Sequence, residues 1–242
     1  MYSPGAFADT NELIELVNIM KEFPNTFYAS HLRSYSDLFL ESLQELIYVG
    51  RKTKANIHCS HLTTFGVQNY PKIISALKMI EDAVEKNIEI SFDVLTYCGG
   101  STTIMSLFPP IFYQDGVDKF INRIKKNSEF RKVKMFIKNY TPKWPPWLSN
   151  IWTDNLIKVI GWNNIYIMSL KNNINTIGMN IQDIAKIRKK SAWDTFREII
   201  IEEDGNIVMY NDCIGGCIEN DDSYATIPVE HPLSTIAIDA IY

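Results

Sequence analysis

The sequence predicts an α/β protein built as part of a TIM-type (β/α) barrel, corresponding to about strands five to eight with a helical lid-like insertion. Short, near-continuous apolar runs alternate with amphipathic helical stretches, the pattern left by parallel strands buried on both faces and joined by crossover helices. The runs also end on polar residues, and in parallel barrels the carboxyl ends of the strands converge on the face where active sites are built.

The elements follow in order. Thr10 reads as the N-cap of a first helix with Leu13, Ile14, Leu16, Val17 and Met20 on its apolar stripe, broken at Pro24-Asn25. Thr26 to Ala29 is a buried strand ending at Ser30-His31, and Ser36 to Val49 a second helix. Ala55 to Cys59 is the next strand, ending at Ser60-His61. Pro71 suits the first turn of a helix running to about Lys86, followed by a strand from Ile88 to Val94 and a polar loop from Cys98 to Thr102.

Between about residues 103 and 164 the regularity fades. Phe108-Pro109-Pro110 and the segment Lys143 to Trp147 bracket short helices rich in aromatics and lysine, expected to form an insertion in a single domain. Regularity returns with a strand from Asn164 to Ser169, helices near 180–189 and 192–203, and a strand from Ile207 to Tyr210. The last apolar run, Ser234 to Ile238, ends on Asp239.

Bulk properties narrow the function classes. At 242 residues with 46% hydrophobic content the chain can bury a sizeable core. A net charge of −4 argues against a nucleic-acid partner. No apolar run reaches the roughly 20 residues of a membrane span, and the N-terminus lacks a basic start followed by an apolar core, so a cytoplasmic location without membrane attachment is expected. The four cysteines are too scattered for a disulfide framework. Cys213 and Cys217 are separated by three residues rather than the two of a redox or zinc-knuckle pair, and read as isolated thiols.

Among the four histidines, His31 and His61 fall where successive strands finish, and Asp239 closes a third strand. Two neutral imidazoles and a carboxylate gathered on one barrel face make a donor set for a divalent metal. Spacing alone leaves the plainer readings open: a hydrogen-bonded structural histidine, or an aspartate capping a helix. His58, three residues before His61, tends toward the other strand face and reads as structural, and His231 as turn punctuation. Gly99-Gly100-Ser101 is a weak anion-cradle signal.

The wording of several segments carries more. Tyr2 to Thr10 followed by Glu12-Leu13, Ser30-His31-Leu32-Arg33-Ser34, Ile57 to Leu62, Asp93 to Tyr97 with Gly100-Ser101-Thr102, Gly161 to Asn164, Glu202 to Val208, and His231-Pro232-Leu233 with Ile238-Asp239 occur in that order. Together they resemble the second half of the catalytic barrel of N-acyl-D-amino-acid deacylases, the D-aminoacylases of the metal-dependent amidohydrolase superfamily. The resemblance implies that His31, His61 and Asp239 hold Zn2+, with Asp239 also the general base. Tyr2 and Ser101 match positions near the substrate's carboxylate and carbonyl, and Arg33 is expected to bind substrate with them. The implied reaction is hydrolysis of the amide bond of an N-acyl-D-amino acid.

The same resemblance has departures. The family's first-strand His-x-His and the metal-binding cysteine after it have no counterpart in the sequence. Thr63 stands where the family has lysine, Leu95-Thr96 where it has Tyr-Pro, and Ala240 where it has glycine. The expectation is therefore a fragment that is completed by a missing N-terminal half or by self-association, or else a catalytically inactive remnant that binds a metal or a partner chain.

Overall fold

The computed structural model describes residues 5–214 and 223–239. In chain order the elements are α1 (Thr10–Met20), β1 (Tyr28–Ser30), α2 (Phe39–Thr53), β2 (Ile57–Cys59), α3 (Lys72–Glu85), β3 (Ile90–Leu95) and β4 (Gly100–Thr103). Then come α4 (Val117–Ile124), α5 (Asn127–Asn139), α6 (Leu156–Val159), β5 (Ile165–Ser169), α7 (Ile181–Arg188), α8 (Ala192–Glu202), β6 (Val208–Asn211), α9 (Ser223–Val229) and β7 (Ser234–Ala237). The fold is α/β. Among the described residues no helix is long and apolar enough to cross a membrane.

The chain divides into two compact units rather than the single domain expected. The first comprises Met1–Cys98, Lys143–Ser149 and Ile214–Tyr242, the second Gly99–Pro142 and Asn150–Cys213. The second unit takes in most of the stretch at about 103–164 expected to be an insertion, and continues to residue 213.

In the first unit β1, β2, β3 and β7 form a parallel sheet in that order. Tyr28 pairs with Ile57, Ile57 with Ile90, and Phe92 with Ser234. Alternation sends Ile57, Cys59, Ile90, Phe92 and Val94 toward α2 and α3, where they pack with Phe39, Leu43, Leu46, Ala76 and Ile80. The opposite face carries His58, Ser91, Asp93 and Thr235 and lines an open recess.

Two helix starts differ from expectation. Asp9, not Thr10, caps α1, its carboxylate accepting the Glu12 N–H at 2.9 Å, while the Thr10 hydroxyl donates to Glu45 at 2.6 Å. α2 begins at Phe39 instead of Ser36. Tyr35 is drawn fully into the core between the strand and the helix, and Ser36 N–H turns back to the Ser34 hydroxyl at 3.2 Å.

In the second unit the strands near 165–169 and 208–211 pair with each other antiparallel. β6 lies between β4 and β5 and pairs with both antiparallel. The polar stretch expected to be a loop supplies β4, so three short strands complete their own sheet. Gly99 fits against the Tyr210 hydroxyl, which a Cβ would meet at 1.9 Å. Phe108 stacks on Phe196 and meets the edge of Phe120 to form the apolar centre.

At the other end of this unit, Glu203 accepts the N–H groups of Lys171 and Asn172 at 2.8 Å, and that of Asn173 at 2.9 Å. The Asn173 side-chain amide adds a bond of 2.7 Å. Burial would raise the Glu203 carboxyl, but these donors more than offset it and hold it below the ordinary carboxylate range.

Candidate metal centre

His31 directly follows β1, His61 lies two residues beyond β2, and Asp239 lies two residues beyond β7. All three sit past the carboxyl ends of strands in one parallel sheet. His31 Nδ1 and His61 Nε2 face each other at 2.9 Å, and the same His61 nitrogen is 4.0 Å from Asp239 Oδ2. The Asp239 side chain is 59% exposed, so one of its faces is open to solvent.

The backbone here is unusual. His61 has φ +38° and Asp239 φ +45°, left-handed conformations that non-glycine residues adopt at a cost and that collect at functional sites. Hydrogen bonds hold each in place. Asp93 Oδ1 accepts the His61 N–H at 2.6 Å and the Asp93 carbonyl accepts Leu62 N–H at 2.7 Å. Near Asp239, the Tyr97 hydroxyl donates to the Ile238 carbonyl at 2.5 Å.

Tyr35 forms the floor. Its ring meets His31 edge-on at 4.8 Å and tilts against His61 at 5.0 Å. Its hydroxyl accepts Leu32 N–H at 2.8 Å and donates to the Ser60 carbonyl at 3.0 Å. Burial, with a contribution from His61, pushes the His31 imidazole down to about 2. His61 is also lowered by burial, against the opposing pull of Asp239 and Asp93. Both rings are therefore neutral near pH 7, the form that ligates a metal.

The two imidazole nitrogens stand at hydrogen-bond distance, 2.9 Å, and would move apart by a few tenths of an ångström to share a metal ion. Zn–N bonds of about 2.0–2.1 Å in a tetrahedral site put two such nitrogens about 3.3 Å apart. Among the described residues, however, no group of three or more His, Cys, Asp or Glu side chains is arranged to hold a metal. The two histidines stand close together, and Asp239 stands farther off, at 4.0 Å from His61.

Arg33 is 4% exposed. Its Nε donates to Glu45 Oε2 at 2.5 Å, its Nη1 to the Ala6 carbonyl at 2.9 Å and its Nη2 to the Ala8 carbonyl at 2.7 Å. The guanidinium also lies over the Trp147 ring at 5.0 Å. In this arrangement Arg33 braces the start of the chain rather than presenting itself to a ligand. Ser101 is exposed on β4 of the second unit. Tyr2 and Cys217 lie outside the described residues. Thr63 is buried and lines a largely apolar recess with Leu62, Val94 and Tyr97.

Sequence reasoning missed Tyr35 and Asp93 as neighbours of the histidines. Asp93 carried a signal, as the carboxylate in the alternating apolar and polar run Ile90 to Leu95. Tyr35 carried none that separates it from an ordinary core aromatic.

No family model matches the chain. Two curated proteins of Alcaligenes xylosoxydans xylosoxydans align with it. An N-acyl-D-aspartate deacylase is 26% identical over 103 residues, 43% of this chain and 20% of that protein. An N-acyl-D-glutamate deacylase is 27% identical over 104 residues, 43% and 21% respectively. The fold extends the match to nearly all of this chain. The crystal structure of N-acyl-D-glutamate deacylase from Bordetella bronchiseptica, complexed with zinc and a phosphonate mimic of the tetrahedral intermediate, superposes with a TM-score of 0.65 at 17% identity, over 97% of this chain. A D-aminoacylase structure gives 0.63 at 19% identity, also over 97%.

The chain resembles the N-acyl-D-amino-acid deacylases. It spans 36% of the length of these solved deacylases and about a fifth of the curated ones.

Proposed function

We propose that this chain carries the His31, His61 and Asp239 portion of a zinc-dependent deacylase site acting on N-acyl-D-amino acids. What supports the reading above all is the meeting of His31 Nδ1 and His61 Nε2 at 2.9 Å beyond two adjacent parallel strands. The deacylases it resembles add the substrate class, and the zinc-bound relative adds the metal.

In this reading His31 and His61 would hold the ion, and Asp239 would complete the set. Zinc, when bound, would acidify a bound water and polarise the amide carbonyl. Asp239 takes the proton of the attacking water on its solvent-facing carboxylate and returns it to the leaving amine. Tyr35 keeps both imidazoles in place from below. The sheet itself is proposed to be one part of a barrel whose remaining strands come from an N-terminal half or from a second copy.

A second reading, an inactive relative that binds a metal or a partner chain without turnover, has its own support. Thr63 puts a hydroxyl where the resemblance expects lysine, and a hydroxyl lacks that residue's charge for gripping a carboxylate. One assay separates the two. N-acetyl-D-glutamate and N-acetyl-D-aspartate, with their L-enantiomers, are incubated with the zinc-loaded chain and with its Asp239→Ala variant. Amine release from the D-substrates that disappears in the variant supports the deacylase. Binding of zinc with no release from any substrate supports the inactive relative.

A further inference from the structure

We infer that Asp93 is a positioning residue for this centre: its carboxylate locks the left-handed peptide of His61 and so fixes where the His61 imidazole points. The inference takes its functional meaning from the metal-site reading above, while its geometry stands by itself.

Asp93 occupies the fourth position of β3, on the face away from the helices. Its Oδ1 accepts the His61 N–H at 2.6 Å, and its own carbonyl accepts the next N–H, that of Leu62, at 2.7 Å. Successive peptides of the turn after β2 are thus tied to a single residue of the neighbouring strand. The first of them belongs to a residue at φ +38°, a conformation that needs outside support to persist.

The carboxylate is anchored in turn. Its Oδ2 lies 2.8 Å from His58 Nε2, and His58 Nδ1 lies 2.7 Å from Ser91 Oγ. A carboxylate oxygen accepts, so His58 donates to Asp93 from Nε2, and in the neutral ring its Nδ1 accepts the Ser91 hydroxyl. The register makes this chain possible: His58 and Ser91 are paired positions on adjacent parallel strands, with Asp93 two residues farther on the same face. Phe27 meets the His58 ring edge-on at 6.0 Å. His58, which sequence spacing read as structural, is the far anchor of this device.

The test compares wild type with Asp93→Ala, Asp93→Asn and His58→Phe. Co2+ replaces zinc as a spectroscopic probe, and its visible absorption reports affinity and ligand geometry. Removing a side chain that supports a metal ligand weakens metal affinity by about 10–100-fold, and that loss with an altered spectrum is expected for Asp93→Ala. Asp93→Asn keeps an oxygen for the His61 N–H and recovers most of the affinity. His58→Phe, which leaves Asp93 in place, gives an intermediate loss and keeps the inference testable if Asp93→Ala does not fold.

NMR of the metal-free proteins supplies the independent readout. The His61 amide proton should be shifted downfield in wild type and Asp93→Asn, and the contact between the His31 and His61 rings should be retained in both. Both features should vanish in Asp93→Ala and weaken in His58→Phe. A His61 amide and ring contact unchanged in Asp93→Ala, or in His58→Phe where only that variant folds, overturn the inference. Failure of wild type to bind Co2+ overturns the metal-site reading instead, and the metal-free comparison then decides the role of Asp93 alone.

Discussion

The imidazoles of His31 and His61 meet nitrogen to nitrogen at 2.9 Å over the ring of Tyr35. That tyrosine is fully buried, and its hydroxyl ties together Leu32 and Ser60, the residues flanking the two histidines. Tyr35→Phe keeps the ring and removes both hydrogen bonds. A loss of about 1–2 kcal/mol is expected in denaturant unfolding, together with weaker metal binding. Unchanged stability would show that the hydroxyl is not part of the support.

The pairing of Arg33 with Glu45 gives a second expectation. Both are buried, and the guanidinium is held by the carboxylate and by two backbone carbonyls. Removing one member of such a pair leaves the other charge in the interior, at a cost of about 3–5 kcal/mol. Arg33→Ala and Glu45→Ala should each destabilise by that order, and the double variant by much less than their sum. If Arg33→Ala instead leaves stability unchanged and reduces only substrate binding, the bracing role is wrong and the substrate role stands.

A third expectation concerns pH. The folded Glu203 carboxyl sits below its unfolded value, so the folded state favours the ionised form. Its contribution is fully present above the unfolded value near 4.5 and is lost as pH falls through the lower folded value. Glu203→Gln should lower stability at pH 7 by about 1–3 kcal/mol and flatten the acid side of the stability profile. An identical acid limb in wild type and variant would exclude Glu203 as its source.

Much of this architecture is legible in the sequence because local physics dictates it. The parallel strands β1, β2 and β3 and the helices between them follow from apolar periodicity, with ends displaced by one to four residues, as where Thr10 or Tyr35 engages distant partners. His31, His61 and Asp239 can be placed at strand ends from the same pattern. The second unit is less legible. Residues 165–169 and 208–211 look alike as parallel or antiparallel strands, and what decides is the pairing with Gly100–Thr103, a polar stretch that reads as loop. The Arg33 brace escapes the sequence for a related reason: its carboxylate partner is 12 residues away on α2 and its carbonyl partners lie in another segment. The hydrogen bond from His61 to Asp93 spans 32 residues, and only the strand register makes it visible.

The central claim is that His31 and His61 share a metal ion, and zinc content per chain tests it most directly. The protein is stripped with chelator, reloaded with zinc, freed of excess and measured by elemental analysis beside a His31→Ala/His61→Ala double variant. The account predicts about one zinc per wild-type chain and none above background in the variant. Equal zinc in the two proteins, or none in either, would contradict it.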